Sequence, residues 1–350
     1  MSPRGPGAGV GPPSAADIVD DELSTIGVDV GGTKLLGVVV TREAAVVAEA
    51  RRSVPPPERS PSPLASRSGP LYDAVAALVT DLVDEAGAGG RRVDAVGIGL
   101  PGQVDRQGRL HVSPNLARGE GLDLVASMPG ELGMPVAVEN DATCAALGEK
   151  RLGAARHAED AVVVTVGTGI GVGLIVSGEV VRGAAGYAGE AGHMVVQAWG
   201  MPCPCGRSGC WERYASGEAL GRAARAMLTA GDAPAVLALA GGSIDDVRGE
   251  HVTAAAEAGD VDALRLVDEL ARWLALGITN LGTVLDPQLV VVGGGLVGAG
   301  PVVLGPLRRA LADPAISGRY PAPVVVEAAL GARAGAIGAA LLARHLSGGQ

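Results

Sequence analysis

The chain has 350 residues and a formal net charge of −10, with 47% hydrophobic and 19% charged side chains. These values are typical of a globular protein long enough for two domains, and they exclude a disordered chain. The acidic balance argues against a general binder of nucleic acid or of anionic membranes, although backbone amides can still build a local phosphate site.

The N-terminal region carries no sign of a folded or membrane-inserted segment. Residues 1–22 are mostly Pro, Gly, Ser and Ala followed by acidic residues, so we predict a disordered tail there. No apolar segment follows Arg4, so no secretory signal is expected.

The uncharged stretch at 288–307 is interrupted by glycines, Pro301 and Pro306, and we predict a strand, a turn and a helix start rather than a membrane span.

The first half of the chain has the pattern of a strand meander followed by alternating helices and strands. The predicted elements are an apolar strand on each side of the glycines in TIGVDVGGTKLLGVVV, a strand at 45–50, a Pro/Ser-rich loop at 55–70, a helix at 71–86, a strand at 93–100, a helix at 121–132, a strand at 135–139 and a helix at 142–152. Cys144 lies in the Ala-rich pattern of the last helix, as expected of a small core residue.

The second half repeats this order. Its predicted elements are a strand at 161–166, a glycine loop at 167–173, a strand at 174–181, a cysteine-rich loop, helices at 217–230 and 261–283, a strand at 289–292, a helix from 301, a strand at 324–327 and a helix at 335–345. Because meander and alternation appear twice, we predict two related α/β domains with a cleft between them.

The cysteine-rich stretch EAGHMVVQAWGMPCPCGRSGCWE holds three of the four cysteines of the chain. His193, Cys203, Cys205 and Cys210 supply four ligands, which is enough to close a tetrahedral zinc site. The C-x-C-x4-C spacing differs from the common C-x2-C knuckle, and the alternative is three thiols that merely lie close together. A structural zinc is the favoured interpretation, and it would hold the two carboxylates that flank this loop near the imidazole. Clustered cysteines without a disulfide framework fit a reducing cytoplasm.

Three glycine-rich segments can approach phosphate: DVGGTK at 29–34, GTGIGVG at 167–173 and GGGLVGAG at 293–300. In the first, the amides can face an anion, Thr33 can donate, Lys34 adds charge and Asp29 can reach a metal-bound water. Each segment alone can be a plain hairpin turn, and the third also matches a dinucleotide fingerprint. Their combination favours a nucleotide clamp.

The pentapeptide ENDAT at 139–143 places Asn140 and Asp141 where a strand ends and a helix begins. An aspartate at a helix start is usually a cap. The functional alternative is a general base that accepts a proton from an attacking hydroxyl.

The motifs DVGGTK, GLPG, SPNL, END, GTGIGVG, AGEAGH and C-x-CG-x2-GCWE occur in the order found in the ROK family of sugar kinases and repressors. The resemblance covers about residues 25–345. It implies the two-domain actin-like, hexokinase-type ATPase fold, with α/β domains of the ribonuclease H-like type. The expected division is a smaller domain of residues 23–137 plus 331–350 and a larger one of residues 138–330 that contains the zinc loop 193–210.

By the same resemblance, Asp141 is the catalytic base. The implied sugar-binding residues are Asn115, Asn140, Asp141, Glu190, His193 and Glu212. The implied nucleotide-binding residues are Asp29, Gly31, Gly32, Thr33 and Lys34, with Gly167, Thr168 and Gly169 at the phosphates and Gly294 and Gly295 at the adenosine. The implied zinc ligands are His193, Cys203, Cys205 and Cys210. Thr143, Gln103, Ala117 and Arg118 depart from the family pattern at the rim of the sugar pocket, which affects the choice of hexose more than the chemistry.

The resemblance therefore implies a kinase that uses ATP and Mg²⁺ to phosphorylate the 6-hydroxyl of a hexose, with glucose the first expectation. The alternatives are a kinase for N-acetylglucosamine, mannose or fructose, a catalytically inactive sugar sensor, and a sugar-responsive repressor. A repressor needs a helix-turn-helix domain, for which the short tail before DVGGTK leaves no room, so no nucleic acid and no membrane are expected as partners. Polyphosphate in place of ATP stays open, and the family implies a homo-oligomer, either a dimer or a tetramer.

Overall fold

The structure of the chain is a computed structural model that describes residues 23–55, 69–113, 123–319 and 321–347. Several sequence-based predictions fall outside this range and have no structural account. They are the tail at 1–22, most of the Pro/Ser-rich loop, and the predicted sugar ligand Asn115 with the neighbouring Ala117 and Arg118.

The first half of the chain forms a five-stranded sheet. The elements in order are β1 Leu23–Val30, β2 Lys34–Thr41, β3 Val46–Ser53, α1 Pro70–Ala88, β4 Arg92–Leu100, β5 Gln103–Val104, β6 Leu110–Val112, α2 Leu124–Ser127, α3 Pro129–Leu132, β7 Val136–Asn140 and α4 Asp141–Leu152. The strand order is β3-β2-β1-β4-β7, in which the antiparallel meander continues into two parallel strands. The predicted meander is confirmed.

The second half forms another five-stranded sheet. Its elements are β8 Ala161–Val166, β9 Ile170–Val176, β10 Glu179–Val180, α5 Glu212–Ala215, α6 Gly217–Thr229, α7 Pro234–Leu239, α8 Gly249–Glu257, α9 Val261–Leu285, β11 Leu289–Gly293, α10 Pro301–Leu311, α11 Pro314–Ser317, β12 Val325–Glu327 and α12 Ala334–Ser347. The order β10-β9-β8-β11-β12 repeats the first sheet strand for strand. The predicted duplication is therefore confirmed in topology. Within the described residues, no helix is long and apolar enough to cross a membrane.

Each sheet has its own apolar core. Helix α1 packs on the first sheet through Val75, Leu78 and Leu82, which recur at helical spacing and are fully buried. Helix α9 supplies the longest apolar stripe of the second core, with Leu274 and Ile278 fully buried. Two separate cores explain why the chain folds as two related α/β units rather than around one continuous sheet.

Helices α4 and α12 lie at backbone contact with each other and with the first sheet. A side chain at Gly97 of β4 would lie 1.8 Å from the carbonyl oxygen of Ala339, and one at Gly338 of α12 would lie 1.7 Å from that of Cys144. The buried carboxylate of Glu149 in α4 accepts the backbone N–H groups of Ala329 and Leu330 at 3.1 and 2.9 Å. The last helix is thus held on the first sheet by backbone contacts that only glycine permits.

Three predicted elements were wrong. The expected strand at 174–181 is interrupted by a turn at Ser177 and Gly178, so β9 ends at Val176 and β10 covers only Glu179–Val180. The expected helix at 121–132 is divided into α2 and α3, because Pro129 has no N–H to continue a helix and instead begins the second one. The expected glycine loop at 167–173 is shorter, since β9 begins at Ile170 and includes Gly171 and Gly173. A side chain at Gly173 would lie 2.4 Å from the Ala146 side chain, so these glycines let α4 approach the strand.

A buried ion pair joins the two halves beside α4. Glu139 is 2% exposed at the end of β7, and its carboxylate pairs with Arg182, which follows β10. Burial raises the pKa of Glu139, while the Asn140 N–H and Arg182 oppose that rise. Arg106, in the turn between β5 and β6, also donates to the carbonyl of Gly183 at 2.8 Å. The segment after β10 is therefore fastened to the first half directly before the Glu190 region.

Replacing Gly97 by alanine is expected to lower the free energy of unfolding by about 3 kcal/mol, because the new methyl group has to displace the backbone of α12. The matched control is Gly87→Ala in α1, where a Cβ has nothing within 4 Å, and it should raise stability by about 0.5 kcal/mol. Urea unfolding of both variants measures the difference. Equal stability of the two proteins would contradict the close α12 contact.

Candidate active site

Two aspartates lie at the carboxyl end of the first sheet. Asp29 of β1 aligns with Gly99 of β4 in parallel register, and Leu100 aligns with Asn140 of β7. A Cβ at Gly99 would lie 3.4 Å from the Cα of Asp141. A glycine between the two acids therefore brings Asp29 and Asp141 into one electrostatic environment.

Asp141 is the first residue of α4, and its carboxylate is only partly exposed. Its Oδ1 accepts the N–H of Ala142 at 2.8 Å. Burial, and next the negative charge of Asp29, raise the pKa of Asp141 to about 7. A carboxyl group that exchanges its proton near neutral pH, at an edge open to solvent, suits general base catalysis.

Burial also raises the pKa of Asp29 to about 6. The backbone of Gly335, at the start of α12, leaves no room beside this carboxylate, since a Cβ there would lie 2.8 Å from Oδ2. Two adjacent carboxyl groups with raised pKa values form a region that favours a proton or a cation between them.

The helix cap at this position is Asn140 and not Asp141. The Oδ1 of Asn140 accepts the N–H of Thr143 at 2.9 Å, and its Nδ2 donates to the carbonyl of Gly102 at 3.1 Å. Asn140 thus ties the GLPG turn to the start of α4. One amide hydrogen and one lone pair remain for a ligand.

The EAGH segment forms a 3-10 helix, Glu190–His193, against β9. A side chain at Gly189 would lie 2.3 Å from the carbonyl oxygen of Val172, and one at Gly192 would lie 2.2 Å from that of Ile170. Gly189 also has a φ of 96°, which favours glycine. Because β9 packs on α4 as well, these glycines place Glu190 and His193 in the neighbourhood of Asp141.

Three acids and one histidine share this neighbourhood. Burial raises the pKa of Glu190; His193 opposes the rise, and the charges of Asp141 and Glu212 add to it. The Nε2 atom of His193 lies 3.9 Å from Glu190 Oε2, and its Nδ1 atom lies 3.5 Å from Glu212 Oε1. Several carboxylates around one imidazole are an arrangement that can accept hydrogen bonds from a polyhydroxylated ligand.

The predicted zinc ligands converge. One ligand atom from each of His193, Cys203, Cys205 and Cys210 lies within 4.8 Å of the others. The His193 Nδ1 atom is 3.6 Å from Cys203 Sγ, and Cys205 Sγ is 3.6 Å from Cys210 Sγ. Zinc–sulfur bonds of about 2.3 Å at tetrahedral angles separate two sulfurs by about 3.8 Å, so the donor set fits a structural Zn²⁺.

The chain around these cysteines is folded to bring the sulfurs together. Gly206 and Gly209 have positive φ angles of 89° and 80°, and bridges join Val195 to Cys210 and Pro202 to Ser208. Burial raises the pKa values of Cys203 and Cys210. Such thiols need a cation to become thiolates, which favours a metal-ligand role over that of a reactive nucleophile.

The imidazole of His193 can serve two ligands at once. Its Nδ1 atom faces Cys203, and its Nε2 atom faces Glu190. This arrangement reconciles the two predictions made for His193, one as a zinc ligand and one as a sugar ligand. A metal on Nδ1 would leave the Nε2–H as a donor toward the carboxylate side.

The two predicted phosphate turns occupy equivalent positions in the two sheets. Residues 31–33 connect β1 to β2, and the Gly31 N–H is bonded within the turn to Lys34 at 2.9 Å. Residues 167–169 connect β8 to β9, and Gly217 at the start of α6 donates to the Gly167 carbonyl at 2.8 Å. Gly32, Thr33 and Lys34 are exposed.

The third glycine segment lies beside the second turn. Gly294 has a φ of 93°, and a Cβ there would lie 2.5 Å from the Val166 carbonyl oxygen. The Leu296 N–H donates to that same carbonyl at 3.0 Å. Residues 294–295, residues 167–169 and the start of α6 thus form one continuous surface.

Sequence reasoning missed two features of this site. The first is the Glu139–Arg182 pair. The sequence does indicate it, because Glu139 is a charged residue at the end of the apolar run of β7, directly before Asn140. The influence of Asp29 on the pKa of Asp141 has no local signal, because the two residues meet only through the pairing of three strands.

Residues 25–346 match the ROK family, and the chain belongs to that family. It is 38% identical to the glucokinase of Streptomyces coelicolor over 92% of this chain and 98% of that protein. It is 33% identical to the glucokinase of Thermotoga maritima over 94% of this chain and 99% of that protein. The xylose repressor of Bacillus subtilis is 27% identical over 90% of this chain and 75% of the repressor.

Solved structures show the same fold. A ROK family glucokinase from Streptomyces griseus, in complex with glucose and AMPPNP, matches with a TM-score of 0.82 and 38% identity, covering 92% of this chain and 99% of that one. The ROK hexokinase from Thermus thermophilus matches with a TM-score of 0.69 and 32% identity, covering 93% and 100%. The predicted two-domain, actin-like α/β fold is confirmed.

The zinc assignment predicts one zinc ion per chain in protein purified without chelators. Cys205→Ser removes one of four ligands and should weaken zinc binding by roughly 100-fold or more. Metal analysis after dialysis against a mild chelator measures the loss. Cys144→Ala is the matched control, because Cys144 is buried in α4 outside the cluster and its loss should leave the zinc content unchanged. Active wild-type protein without zinc would contradict the assignment.

Proposed function

We propose that this protein is an ATP-dependent hexose kinase that phosphorylates the 6-hydroxyl group, with glucose as its substrate. The proposal rests most directly on Asp141, whose pKa is raised to about 7 at the start of α4 beside Glu190. A base of that pKa is matched to an alcohol that has to lose its proton as it attacks phosphorus. The similarity to glucokinases over nearly the whole chain supports glucose.

The roles of the other residues follow from the same surface. Glu190, Glu212, His193 and Asn140, with Asn115 outside the described residues, would bind and orient the sugar hydroxyls so that the 6-hydroxyl faces Asp141. Asp141 then accepts the proton at a carboxylate oxygen as the sugar oxygen bonds to the γ-phosphorus and the bond to ADP breaks. Holding both reactants in place supplies much of the rate enhancement, because little covalent chemistry is left to the protein.

The nucleotide side uses the two equivalent turns. The amides of Gly32 and Thr33, with the exposed Lys34, would bind phosphate oxygens from the first half of the chain. Residues 167–169 would do so from the second half, with Gly294 and Gly295 against the adenosine. Mg²⁺, when bound with the nucleotide, would offset the phosphate charge. Asp29 is the candidate residue near this ion. Its carboxylate has a raised pKa and lies beside Asp141, and a neighbouring cation would stabilise its ionised form.

The structural zinc holds the sugar-binding groups in position. The segment between Glu190 and Glu212 is closed by the ligands His193, Cys203, Cys205 and Cys210, so one ion orders both carboxylates. Thiolate ligands also support the proposal of a reducing compartment such as the cytoplasm. The proposed domains are a smaller one of residues 23–137 with 331–350 and a larger one of residues 138–330. The proposed assembly is a homo-oligomer, and light scattering measures its mass.

A sugar-responsive regulator is the alternative from another class, since xylose repressors are similar over most of this chain. The acid–base arrangement at Asp141 favours the kinase, because a sensor needs no base. Turnover measurements distinguish glucose from other hexoses as the substrate, and ATP from polyphosphate as the phosphoryl donor.

Coupled ADP release with Mg-ATP and a panel of hexoses should show turnover with glucose. Asp141→Asn is expected to lower kcat by roughly 10³-fold, since it removes the proton acceptor, while calorimetry still detects glucose binding. Asp286→Asn is the matched control, an exposed aspartate with a φ of 45° that asparagine also accepts. Undiminished activity of Asp141→Asn would refute the base, and no turnover on any hexose would favour the sensor.

The raised pKa of Asp141 predicts a pH profile for kcat/KM. The base acts only when ionised, so the rate should fall about tenfold per pH unit below a midpoint near pH 7. Asp29→Asn removes the negative charge that raises this pKa, so the remaining activity should have its midpoint at lower pH. A midpoint that stays in place or moves upward would contradict the coupling of the two acids. Asp286→Asn should leave it unchanged.

A further inference from the structure

An open pocket lies behind the zinc loop, on the other side of α5 from the carboxylates of the site. Its volume is about 320 Å³, and α5, α6 and α9 line it together with Met201. None of the residues assigned above to sugar, nucleotide or zinc lines this pocket. It is therefore separate from the proposed reaction.

Two arginines in this pocket have buried donors without acceptors. Arg213 Nε and Arg222 Nη1 are buried and have no hydrogen-bond partner in the described residues. The Nη2 of Arg222 donates to the backbone carbonyl of Arg213, which fixes the Arg222 side chain against the main chain of α5. Burial, and next the positive charge of Arg213, lower the pKa of Arg222. A buried N–H group of a guanidinium without an acceptor costs free energy, so these two N–H groups are suited to receive an anion.

The charged side chains that line the pocket are mostly positive, which also favours an anion. The pocket contains two arginines and one acid, Glu269, which is exposed. Within the described part of the chain, neither Arg213 nor Arg222 forms an ion pair. A positive pocket in a chain of net charge −10 is a local exception to the overall electrostatics.

The remaining walls are apolar. Leu220 and Leu270 lie at the base of the pocket, and the rings of Tyr214 and Trp273 pack together at one side with centroids 4.5 Å apart. A sugar phosphate or an inorganic anion would leave these walls uncovered. The combination of apolar walls with two arginines that each have an N–H group without an acceptor matches a molecule that has an apolar body and one carboxylate, whose two oxygens can accept charge-assisted hydrogen bonds.

The pocket is connected to the sugar side through α5. Glu212 and Arg213 are consecutive residues in this four-residue helix, and Glu212 lies on the zinc side while Arg213 lines the pocket. Before the helix, the fully buried Trp211 donates from Nε1 to the carbonyl of Trp273 at 2.8 Å. A molecule that draws Arg213 toward itself therefore moves the element that positions Glu212.

We propose that this pocket is a regulatory site for a small amphipathic carboxylate, held by Arg213 and Arg222 and by the apolar walls between α6 and α9. Binding changes the affinity for the hexose through Glu212. The effect on sugar affinity rests on the proposed kinase function, whereas binding of the carboxylate does not.

The test uses sodium octanoate as the probe and the full chain without sugar or nucleotide. Calorimetry should show saturable binding, and tryptophan emission should change because Trp273 lines the pocket. Neutral octanamide, which has the same apolar body, should bind at least about tenfold more weakly, since it lacks the charge-assisted bonds. Equal binding of the two probes, or no binding of octanoate at millimolar concentration, would overturn the proposal.

Variants locate the site. Arg222→Met should weaken octanoate binding at least about tenfold. Ala223→Met, which fills the pocket without touching the charges, should weaken it as well. Arg272→Met is the control, because Arg272 is exposed on α9, next to Trp273, and does not line the pocket. Thermal unfolding checks that each variant is folded. Binding that is the same in all three variants would place octanoate elsewhere and overturn the proposal.

The effect of octanoate on the affinity for glucose is measured separately, by enzyme kinetics. Saturating octanoate should change the KM for glucose with little change in kcat in the wild-type enzyme, and should have no effect in Ala223→Met. Saturable binding with an unchanged KM would overturn the regulatory part. An absence of kinase activity with octanoate binding intact would refute the proposed function and leave the site itself supported.

Discussion

The active-site arrangement depends on how closely α4 approaches its neighbours. Its first residue, Asp141, lies against Gly99 of the first sheet, and its next turns lie against Gly171 and Gly173 of the second. On the opposite side, a Cβ at Gly338 of α12 would lie 1.7 Å from the backbone of α4. A side chain at Gly173 or Gly338 would overlap atoms of this helix, since a Cβ there would lie 2.7 Å from the Ala142 carbonyl oxygen or 1.7 Å from that of Cys144. One helix, packed closely against both sheets and against α12, therefore places the proposed base at the junction of both halves.

This close packing produces the electrostatic properties of the site. Burial of Asp141 beside Asp29 raises both pKa values above those of ordinary carboxyl groups. Charged groups in a protein interior reduce stability, and the fold offsets that cost nearby through the Glu139–Arg182 pair and the fully bonded carboxylate of Glu149. The site thus combines acids with raised pKa values and no ion-pair partner among the described residues, Asp29 and Asp141, with acids whose carboxylates pair with Arg182 or accept backbone N–H groups.

The zinc loop connects the site to a more distant surface. His193 presents one nitrogen to the cysteines and the other to Glu190, so the proposed zinc site and the proposed sugar-binding carboxylates share a single side chain. Glu212 and Arg213 then place the same short helix between that site and the pocket behind it. Three positions of function therefore lie on one continuous, tightly folded segment.

The sequence by itself determined most strands and the long helices, the duplicated order of elements, the four candidate zinc ligands and the resemblance to a kinase family. Apolar period, turn residues and ligand spacing are local properties, which is why they can be read from the sequence. The break at Pro129 was also local, although the helix predicted there was wrong. Only the tertiary structure decided that Asn140 caps α4, that Asp29 raises the pKa of Asp141, and that Arg182 pairs with Glu139. Those facts depend on strand pairing and helix packing between residues far apart in the chain, and the burial that sets a pKa exists only after the chain has folded.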